Sequence, residues 1–166
     1  MNKIQLAQNP NTPVKTLQSL ATDKDSDVRY CVSKNPNTSP EVLKTLATDE
    51  NSHVRCGVAQ NPNTSPEVLK TLATDEYYDV RWCVAQNPNT SSETLQSLAT
   101  DEYYSVRYWV GRHSNATELI RRLVLMTDSN CHQRDLDYFH HQNSYEQNST
   151  CTKPQHFNRN TTVFSD

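Results

Sequence analysis

Two dipeptides recur along this chain at one fixed interval, and that interval limits the available folds more than any other feature. Asn-Pro stands at Asn9-Pro10, Asn35-Pro36, Asn61-Pro62 and Asn87-Pro88, and Val-Arg at Val28-Arg29, Val54-Arg55, Val80-Arg81 and Val106-Arg107, each series stepping by 26 residues. Residues 35–60 and 61–86 differ at only five positions, so one structural unit has been copied in tandem. A strict period of this size marks a repeat architecture, in which each unit buries its apolar side against its neighbours.

The unit beginning at Asn61 reads NPNTSPEVLKTLATDEYYDVRWCVAQ and parses into a turn and two helices. Pro62 fixes its own φ and pushes Asn61 out of the helical region, so a helix must stop there. Thr64 with Glu67 has the spacing of a capping box, repeated as Thr38 with Glu41 and Thr90 with Glu93. In the first copy Thr12 is followed by Pro13, a favourable first-turn residue. Helix B follows, with Val68, Leu69, Leu72 and Ala73 forming one apolar stripe. Asp75 is expected to cap helix A, which carries Val80 and Val84 on one side and ends at the next Asn-Pro. Helices of two or three turns do not persist alone in water, so the units must stack.

The fold class predicted is therefore all-α, an α-solenoid of about four and a half two-helix units. A hydrophobic content of 34% and a mean hydropathy of −0.86 suit a thin elongated body better than a thick single core. Residues 1–128 are assigned to the solenoid. It opens with a partial unit, because Met1 to Gln8 aligns with the end of helix A, and that face is expected to invite a partner or another copy of the chain. It closes with a degraded unit in which His113-Ser114 replaces Asn-Pro, one turn residue is missing, and Leu119, Ile120, Leu123 and Val124 keep a helix B stripe with Arg121 and Arg122 outside it. Residues 129–166, rich in Asn, Gln, Ser, Thr and His, lose the period and are expected to be a disordered polar tail.

The pattern of Asn-Pro, Thr-Ser-Pro-Glu-Val-Leu, Leu-Ala-x-Asp and Val-Arg, over roughly residues 4–128, closely resembles the leucine-rich repeat variant family. The Asp and Val-Arg positions are also similar in style to HEAT repeats. The resemblance implies pairs of short helices, one α and one 3₁₀-like, stacked into a right-handed superhelix without strands. Some members of the family carry an iron-sulfur cluster in a cysteine-rich segment ahead of the repeats, a segment this chain does not show, and a redox or iron-sulfur role is the least favoured reading.

Comparison of the copies points to where binding resides. The five differences between residues 35–60 and 61–86 all lie in helix A: Asn51, Ser52, His53, Cys56 and Gly57 become Tyr77, Tyr78, Asp79, Trp82 and Cys83. On an α-helical wheel Tyr78 and Trp82 lie nearly opposite Val80 and Val84, and Tyr104 with Tyr108 repeats the arrangement one unit on. Tyr30 extends the column in an earlier copy, whereas Tyr77 is angled closer to the core side. Large aromatics so placed are typical of protein–protein hot spots, so the predicted function is a non-catalytic scaffold that docks a protein or peptide on its helix A surface.

The remaining recurrent residues read as structure. Asp23 with Arg29, Asp49 with Arg55, Asp75 with Arg81 and Asp101 with Arg107 form two columns that recur in every unit, as a ladder stitching units together would. The alternative function, nucleic-acid binding through the Arg column, is disfavoured by a net charge of −3. Cys31, Cys56, Cys83, Cys131 and Cys151 are odd in number and form no CxxC pair, which argues against a disulfide framework and for small packed side chains. In the tail, Cys131, His132, His140, His141, Cys151 and His156 lack the short spacings of a structural zinc site, so no metal or other cofactor is assigned. His53 reads as a surface substitution, and no phosphate loop, GxSxG or HExxH motif is present, so the chain is not expected to be an enzyme. The absence of a secretory signal or a long apolar run sets the expected location as cytoplasmic, with no membrane partner.

Overall fold

The computed structural model describes residues 2–128. Ten helices occupy this stretch, with no strand among the described residues. Helices A are α1 (Lys3–Gln8), α3 (Ser26–Lys34), α5 (Ser52–Gln60), α7 (Tyr78–Gln86) and α9 (Tyr104–Arg112). Helices B are α2 (Val14–Leu20), α4 (Pro40–Leu46), α6 (Pro66–Leu72), α8 (Ser92–Leu98) and α10 (Glu118–Asp128). Both are α-helical, so the 3₁₀-like element implied by the family resemblance is absent from the described units. Helices A pack in an unbroken row, α1 on α3, α3 on α5, α5 on α7 and α7 on α9, and each helix B leans on its flanking helices A. This is the predicted solenoid, and the 26-residue period is its structural step.

The core is periodic in the same way. Val28, Val54, Val80 and Val106 are buried, as are Val32, Val58, Val84 and Val110 from the other turn of helix A. From helix B come Leu17, Leu43, Leu69 and Leu95, then Leu20, Leu46, Leu72 and Leu98. Each such leucine or valine contributes roughly 1.5–3 kcal/mol through removal from water. Helices of seven and nine residues gain this only in the stack.

The polar spine of the stack is the Asn-Pro turn. Asn61 Nδ2 donates to Ser33 O at 2.7 Å and Asn35 O at 3.0 Å in the preceding unit, while its Oδ1 accepts the Asn63 N–H. Asn35 and Asn87 repeat all three bonds. Asn suits the place because one amide supplies both donors and an acceptor to a buried turn. Thr64 Oγ1 donates backwards to Val58 O at 2.6 Å, a second donor for the carbonyl that the Asn61 N–H also reaches at the end of helix A. The predicted capping box is therefore displaced by one residue: Ser65, not Thr64, caps helix B by accepting from Val68 N, as Ser39 does for Val42. In the first copy Pro13 takes the cap position itself.

The closing unit keeps the period without a missing residue. His113 stands 26 residues after Asn87 and makes two of the three turn bonds, its Nε2 bonding Asn87 O at 2.8 Å and its Nδ1 accepting Asn115 N at 3.0 Å. Nδ1 can accept only if the ring proton is on Nε2, which makes Nε2 the donor to the carbonyl. In α10, Ile120 and Val124 are buried and Leu123 half-buried, but Leu119 is 68% exposed and outside the expected stripe. The expectation of a disordered tail, and the tail cysteines and histidines, lie outside the described residues.

Candidate interaction surface

Helices α3, α5, α7 and α9 are each positioned by an Arg. Arg55 Nε and Nη2 grip Asp75 of the next unit at 2.6 and 2.9 Å, while Nη1 donates to Asp49 O of its own unit at 2.8 Å. Arg29 with Asp49 and Arg81 with Asp101 repeat the fork. The carboxylate partner is thus one unit ahead of the pairing read from the sequence, and the intra-unit partner is a backbone carbonyl. Each fork pulls its guanidinium further above the usual arginine range through hydrogen bonds to its Asp, against burial. At Asp49, desolvation pushes the carboxyl up, but the Arg29 and Asn51 N–H bonds with the Arg charges outweigh it, and the pKa falls below the ordinary value. At the first unit Lys3 takes the Arg role on Asp23 at 2.6 Å, from an exposed stem. The last Arg, Arg107, donates to Asp101 O at 2.6 Å, and the next place in the Asp column is Thr127. All four arginines of the ladder are at most 9% exposed, which leaves no Arg stripe facing solvent.

Asp75 does not cap helix A. The cap lies two residues on, where Asp25 accepts from Asp27 N and Asn51 from His53 N. In the next two units that cap position is Tyr77 and Tyr103, and neither supplies a side-chain cap bond. Tyr77, expected nearer the core, is 49% exposed, with Arg55 Cζ 5.5 Å from its ring centroid. Tyr103 sits likewise over Arg81 at 5.6 Å.

The other aromatics of α7 and α9 make two sets of ring contacts. Tyr78 stacks on Tyr103 with centroids 4.3 Å apart, joining α7 to α9. Tyr104 meets Tyr108 at 5.9 Å, Tyr108 meets Trp109 edge-on at 5.9 Å, and Arg112 Cζ lies 4.6 Å from the Tyr108 centroid. Tyr108 and Trp109 are exposed, whereas Tyr78, Trp82 and Tyr104 are half-buried. Trp82 packs partly against the core, as does Tyr30 on α3. Tyr30 stands apart from the α7–α9 cluster, burial pushes its phenol up, and its ring fills space beside Gly57. Sequence reasoning missed Tyr103 and Trp109. Their signal was present in the columns Asp25, Asn51, Tyr77, Tyr103 and Cys31, Gly57, Cys83, Trp109, where small or capping residues give way to rings.

The column between Tyr30 and Trp82 is filled by Cys56, and the structure joins it to Cys83 by a disulfide, with Cα atoms 5.8 Å apart. This corrects the expectation from odd cysteine number: stacking sets the two 27 residues apart in sequence but side by side on α5 and α7.

Comparison with known proteins agrees with this architecture. A family model described as Leucine Rich Repeat Variant domain matches residues 2–58, and one described as Leucine rich repeat variant matches residues 53–76. Residues 2–76 thus match the leucine-rich repeat variant family. No curated protein and no solved structure matches the chain. Leucine-rich repeat variant units generally serve as interaction scaffolds and are typically non-enzymatic. Among the described residues no group of three or more His, Cys, Asp or Glu is placed to hold a metal, and no helix is long and apolar enough to cross a membrane.

Proposed function

We propose that this leucine-rich repeat variant chain is a non-catalytic scaffold that docks a protein segment on the helix A surface of α7 and α9. The supporting observation is the exchange at the cap position. Units with Asp25 and Asn51 obtain a capping bond that typically contributes about 0.5–2 kcal/mol, and units with Tyr77 and Tyr103 forgo it for rings that stand in solvent. The stack does not need those rings, because the α3–α5 joint forms without them. Tyr77, Tyr78, Trp82, Tyr103, Tyr104, Tyr108 and Trp109 supply large rigid area, and the exposed carboxylates of Glu76 and Glu102 directly precede Tyr77 and Tyr103 in the chain. Such a surface fits a segment that brings apolar groups to the rings and basic groups to the carboxylates.

The test is the double variant Tyr78→Ser, Trp82→Ser in full-length protein. Its helical circular dichroism should match the parent, while proteins retained by the parent in affinity purification are lost. Retention of the same partners refutes the surface, and loss of helicity shows that the rings serve the stack instead.

A further inference from the structure

The cysteines of α5 and α7 are tied to more than each other. Lys34 Nζ on α3 donates to Gln60 Oε1 at 2.6 Å, and Gln60 Nε2 on α5 donates to Cys83 Sγ at 3.2 Å. One hydrogen-bond chain therefore crosses three consecutive units, from a cation through a polarised amide to a sulfur. The two sulfurs also differ in access: Cys83 is fully buried, whereas Cys56 is half-buried, in a column whose other members are Tyr30, Trp82 and Tyr108.

Thiol–disulfide exchange depends on which sulfur can be reached and on how well the other leaves as a thiolate. Cys56 is the less buried cysteine of the pair, so its Sγ is the side from which an incoming thiolate would attack. Cys83 Sγ is the one whose developing negative charge is met by an N–H donor backed by an ammonium group. We infer that the Cys56–Cys83 bond is an exchange-active disulfide, and that Cys56 is a modification site for a small monothiol of the glutathione type. An incoming RS⁻ forms an RS–Sγ bond to Cys56, the Cys56–Cys83 bond breaks, and its electron pair stays on Cys83 Sγ. The RSH proton has gone to solvent, and Cys83 recovers one from solvent. A second RS⁻ attacks the mixed disulfide, releasing RSSR and the Cys56 thiolate, so that two monothiols are oxidised as the protein gains two electrons. In the reverse direction RSSR is the oxidant.

Because Cys56 adjoins the helix A surface, an adduct there adds a charged tripeptide-sized group beside Trp82. That consequence rests on the docking reading, but the exchange chemistry does not.

The experiment uses the full chain equilibrated in graded ratios of reduced to oxidised glutathione, acid-quenched, alkylated and mapped by peptide mass spectrometry. The expected intermediate carries glutathione on Cys56 and an alkylated Cys83. Gln60→Leu should slow the first exchange step roughly fivefold, the worth of one hydrogen bond of about 1 kcal/mol, with unchanged circular dichroism. Lys34→Met should slow it less. Glutathione appearing first on Cys83, two persistent thiols under excess oxidised glutathione, or an unaltered Gln60→Leu rate overturns the inference, and each outcome is independent of whether any partner binds.

Discussion

Removing one carboxylate from the middle of the ladder should disable a joint between units, whereas removing its counterpart at the first unit should not. Asp75→Ala deletes the acceptors of Arg55 Nε at 2.6 Å and Nη2 at 2.9 Å, plus the acceptor of Tyr77 N at 3.0 Å. Arg55 keeps its bonds to Asp49 O and Glu50 O, but the carboxylate left to it is Glu76, 4.0 Å away on a side chain that is mostly in water. Breaking a buried ion pair from one side costs about 3–5 kcal/mol, because the charge that remains is uncompensated. Asp23→Ala loses the analogous turn bond, from Asp25 N, but its ion partner Lys3 is exposed and simply returns to water. Exposed pairs are worth about 0–1 kcal/mol, so the Asp23 variant should lose roughly 1–2 kcal/mol in all.

The assay is urea unfolding followed by circular dichroism, with both variants under one set of reducing conditions so that the Cys56–Cys83 bond does not mask the joint. With a slope of about 2 kcal/mol per molar urea, Asp75→Ala should lower the midpoint by about 1.5–2.5 M and Asp23→Ala by about 0.5–1 M. The Asp75 curve should also broaden or split, since a solenoid whose middle interface is weakened unfolds in two blocks. Equal losses from the two variants, or a loss below about 1 kcal/mol at Asp75, would refute the assignment of the ladder as the coupling between units.

Gly57→Ala should destabilise by about 1–3 kcal/mol in thermal melts, because its Cβ would clash with Ser33 Oγ, which is bonded to Tyr30 O, and Ser33→Ala should rescue much of it. His113→Asn should leave the melting temperature within about 2 °C of the parent, since Asn makes the same pair of bonds in Asn35, Asn61 and Asn87, whereas His113→Ala should cost about 1–3 kcal/mol. Because the folded state holds the Asp49 carboxyl below its ordinary value, its stabilisation is complete above about pH 4 and is lost as pH falls through the lower folded pKa. Midpoints measured from pH 7 down to pH 2.5 should therefore fall less steeply in Asp49→Asn than in the parent.

What the sequence made legible was whatever a period can carry. The interval of the Asn-Pro and Val-Arg pairs is itself the geometry of the stack, so unit length, helix order and core columns followed from it. The misassignments arose where two polar residues stood close enough to share a role. Thr64 and Ser65 are adjacent, and only the path of the preceding helix decides that the Thr reaches back to Val58 O while the Ser caps. Asp75 was assigned to the nearest Arg along the chain, Arg81, but in a solenoid the neighbour in space is one unit away, and that neighbour is Arg55. The cysteines show the same limit: Cys56 and Cys83 lie in different columns of the alignment and meet because those two columns face each other across adjacent helices A, as Tyr30 and Gly57 do one unit earlier. The aromatic surface was half legible. Tyr78, Trp82, Tyr104 and Tyr108 stood out as departures from the repeat, but the stacked partner of Tyr78 is Tyr103, a residue whose column is defined by capping rather than by a core stripe.

The caps allow the surface and the stack to be weighed against each other. Restoring the cap with Tyr77→Asn and Tyr103→Asn returns two bonds of about 0.5–2 kcal/mol each and removes two cation–π contacts of about 0.5–1 kcal/mol each and one ring stack of about 0.5–1.5 kcal/mol, so gains and losses should roughly cancel. Tyr78 then loses the ring it stacks on, and the exposed aromatic area shrinks. A protein that keeps or raises its urea midpoint while losing its partners would separate the two roles, because a purely structural aromatic cluster cannot be removed at no loss of stability. A fall of about 2 kcal/mol or more would show instead that the rings hold α7 to α9, and the docking reading would lose the observation that supports it.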